Sequence, residues 1–234
     1  MTGPPVAAAC HPHLGSPKPP GTVRVDLHSH TMWSGDSTTT PDELEQAIVA
    51  SGLDVLCITD HNAINGALEL EFRLPCRVIV GEEMRTTQGE LIGLFLTERV
   101  PFGLTPLEAA ARIRAQGGIV YVPHPFDPMR HNMAEEAIRE LAAHGLVDAV
   151  EVFNAKTSLA HLNEQATALA TELDLAPGAG SDAHVPDALG AAYAEIADFD
   201  SPAEFLDRLR RGTVVGHHWD KARPWRPRII PSTS

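Results

Sequence analysis

Two histidines stand one residue apart in Asp26-Leu27-His28-Ser29-His30-Thr31, and Asp36 follows shortly after. Val23-Arg24-Val25 ahead of them alternates in the β-branched manner of a strand. In extended backbone, residues i and i+2 point to the same side. His28 and His30 can therefore present two imidazoles to one point, as a first-row metal requires of neutral nitrogen ligands. Asp36 lies within reach of the same neighbourhood across a turn. Further residues of metal-ligand type recur, most of them just after an apolar run. Thr59-Asp60-His61 follows Val55-Leu56-Cys57-Ile58, and Gly81-Glu82-Glu83 follows Arg77-Val78-Ile79-Val80. Pro123-His124-Pro125 follows Ile119-Val120-Tyr121-Val122. Glu151 and Asn154 lie in and after Val147-Asp148-Ala149-Val150, and Ser181-Asp182-Ala183-His184 closes the series.

The elements that position these residues read as an alternation of strands and helices. Strands are expected at about 23–27, 54–59, 76–81, 90–96, 119–122, 148–153 and 175–179. Thr40-Pro41-Asp42-Glu43, Thr105-Pro106-Leu107-Glu108 and Ser201-Pro202-Ala203-Glu204 each place a capping hydroxyl before a proline, which marks a helix start. Gly52 and Gly117-Gly118 mark helix ends. Further helices are expected at about 63–72, 133–143 and 158–173, and a last short strand at about 214–219. Such alternation indicates a parallel sheet. Polar residues after nearly every strand favour closure into a barrel, where the site lies at the strands' C-terminal ends. An open sheet would bind at a single crevice. The strand at 90–96 is the one whose end supplies no ligand.

Composition narrows the function classes. The chain has 234 residues, 43% hydrophobic, enough for one large α/β domain. The net charge of −13 disfavours nucleic acid as a general partner and argues against an anionic membrane. An anionic substrate would then need locally positive groups, which metal ions supply. Three cysteines without framework spacing read as free thiols in a reducing compartment. No apolar run approaches a membrane span, and the first residues lack the basic-then-apolar pattern of a secretory signal. The expected location is cytoplasmic. Residues 1–21, rich in Pro, Ala and Gly, are expected to form a disordered or extended arm that includes His11-Pro12-His13. The barrel domain is expected over 22–215 and a tail over 216–234.

Taken together, the motifs resemble those of the PHP (polymerase and histidinol phosphatase) superfamily, from about Val23 to about Gly190. The resemblance implies a distorted (β/α)7 barrel in one domain, two or three divalent metals, and hydrolysis of phosphate esters, most often monoesters. It implies His28, His30, Glu83 and Asp182 as ligands of one metal and Asp36, His61 and His184 as ligands of another. His124 would belong with a bridging Glu83 to a third. Many relatives place another histidine between the glutamate and the Pro-His-Pro motif, and this chain has none there.

The mixed imidazole and carboxylate set suits Mn, Zn or Fe. Two such ions about 3.5–4 Å apart can activate a water for in-line attack on phosphorus. Among cations for the phosphoryl group, Arg130 comes first because it follows a site loop and can grip bidentately. Lys156, after Asn154, and Arg85 come next. Asp60 could orient His61 or protonate a leaving group, His131 could donate a proton to the leaving oxygen, and Asp26 could orient a histidine. The expected function is hydrolysis of a small phosphomonoester. The alternatives are a phosphodiesterase or nuclease of the same family, a hydrolase of another bond, and a non-catalytic binding module.

Overall fold

A computed structural model describes residue 11 and residues 17–219. Most of the arm expected over 1–21, including Pro12 and His13, lies outside the described residues, as does the tail from 220 on.

The described strands and helices are β1 (Thr22–Ser29), α1 (Pro41–Ser51), β2 (Val55–Ile58), α2 (Asn65–Leu70), β3 (Arg77–Thr86), β4 (Gly89–Leu94), α3 (Pro106–Ala115) and β5 (Ile119–Val122). They continue with α4 (Glu135–Ala143), β6 (Ala149–Asn154), α5 (Ala160–Glu172), β7 (Ala176–Gly180), β8 (Ala192–Ala197), α6 (Pro202–Arg210) and β9 (Thr213–Gly216). The helix starts follow from local chemistry. Thr40 and Thr105 each accept the backbone N–H three residues on, and Glu43 and Glu108 reach back to the cap. Gly52 ends α1 at φ 67°, where a side chain would be strained.

The strands form one sheet in the order β7-β6-β5-β4-β3-β2-β1-β8-β9. Its two ends nearly meet. The Asp182 N–H donates to the His28 carbonyl at 2.8 Å, and the His30 N–H donates to the Ala183 carbonyl at 3.0 Å. These bonds join the segment after β7 to the end of β1 and close a barrel-like ring. β1 is shared along its length: residues Thr22 to Val25 pair with antiparallel β8, and its C-terminal half faces β7.

Alternate residues divide the core in two. Val23, Val25, Leu27, Val55, Cys57, Ile79, Ile92, Ile119, Tyr121, Ala149 and Ala176 fill the inside of the ring. Phe205 and Leu209 of α6 join this inner cluster, with Phe199. Leu56, Ile58, Val78, Val80, Val120, Val122 and Val150 point outward onto Ile48, Leu70, Ile113, Ile138 and Leu169 of the helices. Burial of each such side chain stabilises by roughly 1.5–3 kcal/mol. A strand buried on both faces is the mark of a sheet wrapped by helices.

Two expectations need correction. The sheet is not uniformly parallel, because β4 runs antiparallel to both β3 and β5. β3 runs on to Thr86, and only Thr87 and Gln88 separate it from β4, which leaves room for a hairpin and none for a crossover helix. β8 was not expected at all. Of the three cysteines, Cys57 is buried and Cys76 half-buried, and neither is in a disulfide; Cys10 lies outside the described residues.

Candidate metal centre

The C-terminal ends of the parallel strands gather at one mouth of the ring. β1 brings His28 and, just beyond it, His30. The segment after β2 brings His61, β3 brings Glu83, the turn after β5 brings His124, and the segment after β7 brings Asp182 and His184. Asp36 arrives on the loop that follows the turn at Met32–Ser34.

The donor atoms converge on common points. His28 Nε2 lies 3.1 Å from His30 Nε2 and 3.2 Å from Glu83 Oε2. His30 Nε2 lies 3.2 Å from Glu83 Oε2 and 3.4 Å from Asp182 Oδ1. His61 Nδ1 is 3.2 Å from Glu83 Oε2, and His124 Nε2 is 3.0 Å from Glu83 Oε1. Asp36 Oδ2 lies 2.9 Å from His184 Nε2 and 3.7 Å from His61 Nε2. Metal–ligand bonds of about 2.1 Å imply ligand–ligand edges of roughly 3.0–3.4 Å in octahedral or tetrahedral geometry, and most of these separations match. The donors therefore fit divalent cations. Compact groupings are His28, His30 and Asp182; His28, Glu83 and His124; and His30, Asp36, His61 and His184.

A fourth grouping, His61, Glu83 and Glu90, contains a residue the sequence reading did not single out. Glu90 opens β4. Because β4 runs antiparallel, its first residues lie at the mouth where the other strands end. The signal available was the short spacer between the strands, which marks a hairpin.

Backbone conformation at the ligands is unusual. His124 has φ 29° and Asp182 φ 49°, in the left-handed region that non-glycine residues seldom occupy. Each is pinned by a bond from its own N–H, to Glu151 Oε2 at 2.8 Å and to the His28 carbonyl at 2.8 Å. Such strain collects where surrounding structure holds a functional side chain in place.

The electrostatics follow from burial and neighbours. Burial opposes the charge on Glu83, but His28, His61 and the bond from His124 hold its carboxyl well below the usual range. Asp182 is likewise opposed by burial and held well down by Lys156, Arg130 and His28. Burial and the neighbouring Glu83 push Glu90 upward.

Above the cluster is a cleft of about 420 Å³ whose lining includes Asp36, His61, Arg85, Glu90, Arg130 and His131. Arg130 Nη2 stands 3.1 Å from Asp182 Oδ2. Lys156 Nζ stands 3.4 Å from Asp182 Oδ1 and 2.9 Å from His184 Nδ1. Arg85 lies at the rim with Nη2 3.7 Å from Glu90 Oε1. Asn154 is buried rather than in the cleft lining; its Nδ2 donates to Glu151 Oε2 at 2.9 Å and its Oδ1 accepts from the Lys156 N–H. Asp60 is buried too, and its two oxygens accept the Thr31 N–H and hydroxyl, both at 2.6 Å. Burial lifts the Asp60 carboxyl to about 6. Asp26 accepts the N–H groups of His28 and Ser181 at 3.2 and 3.0 Å, and so ties β1 to the β7 end.

Comparison with known proteins gives the family of the chain. Residues 26–102 match the PHP domain family, and residues 160–214 match the PHP-associated family. The uncharacterized protein MJ0417 of Methanocaldococcus jannaschii is 37% identical over 201 residues, covering 80% of this chain and 79% of that protein. This chain belongs to the PHP family. A second protein of that organism, MJ1587, is 39% identical over 146 residues, 57% of this chain and 82% of its own length. Among solved structures, a two-domain protein of Bacteroides vulgatus, described as containing a predicted PHP-like metal-dependent phosphoesterase, superposes with a TM-score of 0.65. It is 19% identical, over 86% of this chain and 67% of its own. The lesion-specific endonuclease EndoQ of Pyrococcus furiosus gives 0.60 at 16% identity, over 81% of this chain and 56% of its own. These likenesses carry the distorted barrel. No described helix is long and apolar enough to cross a membrane.

Proposed function

We propose that this PHP-family metal-dependent phosphoesterase hydrolyses a small phosphomonoester, with two divalent cations, Mn, Zn or Fe, at the mouth of the barrel. His28, His30, Glu83 and Asp182 would hold one, and Asp36, His61 and His184 the other. Glu90, which groups with His61 and Glu83 and lies 3.9 Å from His124 Nε2, could take the part of the histidine missing between Glu83 and His124 in a third site. When bound, the ions supply positive charge at the phosphoryl oxygens and lower the pKa of the attacking water.

The protein's own groups do the rest. Arg130 lines the cleft beside Asp182 and can receive phosphoryl oxygens through two parallel bonds; Lys156, whose Nζ sits between Asp182 and His184 outside the cleft lining, would reach the substrate only by turning from them. Arg85 at the rim would meet the more distal part of the substrate. His131 lines the cleft and would protonate a leaving oxygen. Asp60 acts beneath the cleft, holding Thr31 and with it the loop that carries His30. The observation that carries this reading is the convergence of eight ligand-type side chains at coordination-edge distances, with cations beside them.

The likeness to an endonuclease barrel favours a second reading, in which the ester belongs to a nucleic acid. The overall acidity does not exclude it, because the cleft has its own cations. The test is phosphate or nucleotide release by the protein reconstituted with Mn or Zn, across phosphomonoesters, phosphodiesters and oligonucleotides. Chelation-sensitive release from monoesters supports the first reading, and cleavage of oligonucleotides alone replaces it with the second. Silence with metal bound points to another bond, and silence without bound metal to a binding module.

A further inference from the structure

Glu151 of β6 is completely buried and is not among the residues that line the cleft. An ionised carboxylate in such a place needs donors on its oxygens. Three donors lie within hydrogen-bond distance of its oxygens, and the Tyr121 hydroxyl also interacts with it. Its Oε1 lies 3.2 Å from His28 Nδ1. Its Oε2 accepts the His124 backbone N–H at 2.8 Å and Asn154 Nδ2 at 2.9 Å. The same Asn154 nitrogen lies 3.4 Å from Asp182 Oδ2. One carboxylate thus touches a ligand on β1, the backbone of the ligand after β5 and, through an amide, the ligand after β7.

We infer that Glu151 is a positioning residue of the metal centre: it fixes the His28 ring with its proton on Nδ1, so that Nε2 faces the metal. The inference rests on the metal-centre reading given above. A carboxylate can only accept, so the ring nitrogen that faces it must donate. His28 Nε2 is then left with its lone pair toward the point shared with His30 and Glu83. A carboxylate behind a ligating imidazole also raises its basicity, and losing such a partner typically costs 10–100-fold in metal affinity. Independent support comes from Gly180 at the end of β7. A Cβ on Gly180 would overlap both the His28 side chain and the Glu151 carboxylate. Absence of a side chain there leaves room for the carboxylate beside His28.

The test uses the full chain. Mn binding is titrated by calorimetry for wild type, Glu151→Gln, His28→Ala and the double variant, and the Zn-loaded wild type is examined by long-range proton–nitrogen NMR. Glutamine keeps the shape, but its NH2 must face one of the donors, so one contact is lost. The expected result is Mn affinity lowered roughly 10–100-fold by Glu151→Gln, with less than about a twofold further effect in the His28→Ala background. In the Zn-loaded protein His28 should carry its proton on Nδ1. Affinity within about twofold of wild type for Glu151→Gln, or the same loss in both backgrounds, would overturn the inference and leave the metal centre standing. A proton on His28 Nε2 overturns it without recourse to any variant, should Glu151→Gln fail to fold. A wild type that binds neither Mn nor Zn overturns the metal-centre reading itself.

Discussion

Asp182 lies among two cations and three histidines, and removing it shows what each residue contributes. In Asp182→Ala, Arg130 and Lys156 lose the carboxylate between them and the ligand set loses an anion. Turnover should vanish while the circular dichroism of the folded chain persists; near-normal turnover would sink the ligand assignment. Arg130→Ala should instead raise KM by roughly 10- to 100-fold, the worth of a charge-assisted contact, with metal content unchanged. An unaltered KM returns Arg130 to a role in balancing Asp182. Glu82, next to the ligand Glu83, behaves differently. Its Oε2 accepts the Val100 N–H, but Arg99 Nε is 3.7 Å from Oε1, too far for a hydrogen bond. Burial lifts its carboxyl to about 7 from a normal 4.5. Between those values the folded chain holds a proton that the unfolded chain has lost, so this group's contribution to stability falls as pH rises through the window. Glu82→Gln should therefore gain in Tm over wild type on going from pH 4 to pH 8, and equal gains at both ends would show that Glu82 is not the titrating group.

At the scale of elements, the caps and the hairpin teach opposite lessons about what a sequence discloses. Thr105 was legible as a cap because a hydroxyl, a proline and a glutamate stand at fixed offsets: the hydroxyl and the glutamate each have a local bond to make, and the proline brings the φ of a first helical turn. Thr105→Ala should cost about 1 kcal/mol, about 2–4 °C in Tm for a chain of this size, without altering turnover; differential scanning calorimetry checks it. The converging His, Asp and Glu positions were legible for the same reason: short motifs after apolar runs need no knowledge of distant partners. The direction of β4 was not. Glu82, Glu83 and Arg85 interrupt the apolar pattern of β3 with charge, which hid its continuation to Thr86 and made a two-residue hairpin look like a loop of eight. Glu90 was missed with it, since its place at the site depends on that reversal. β8 was missed because Ala192, Ala194 and Ala197 give little apolar contrast, and its pairing with β1 is a long-range event. Glu151 stood in plain sight, but its role depends on which side chains face it across the ring.

The whole molecule is acidic, yet its acid groups have a use for cations beyond solubility. A chain that binds Mn when folded and not when unfolded gains about 2.7 kcal/mol at a free concentration one hundred times Kd. That corresponds to a rise in Tm of about 5–11 °C, which chelation should reverse. A melting curve indifferent to both would argue that the carboxylates and histidines balance one another without an ion. The shared edge of β1 has a further consequence, for synthesis on the ribosome. Ser181 contacts the His28 carbonyl across 153 residues of chain, and β8 pairs with β1 across a similar span. One edge of the strand that carries the histidine pair meets β2 soon after it is made, but the other edge has no partner until β7 and β8 have been translated. Closing so large a loop comes late, after local helices and hairpins have formed. A nascent chain halted before Asp182 would carry the paired imidazoles on an unprotected strand edge, the kind of surface that chaperones cover. Tight metal capture would then mark a chain that has finished folding.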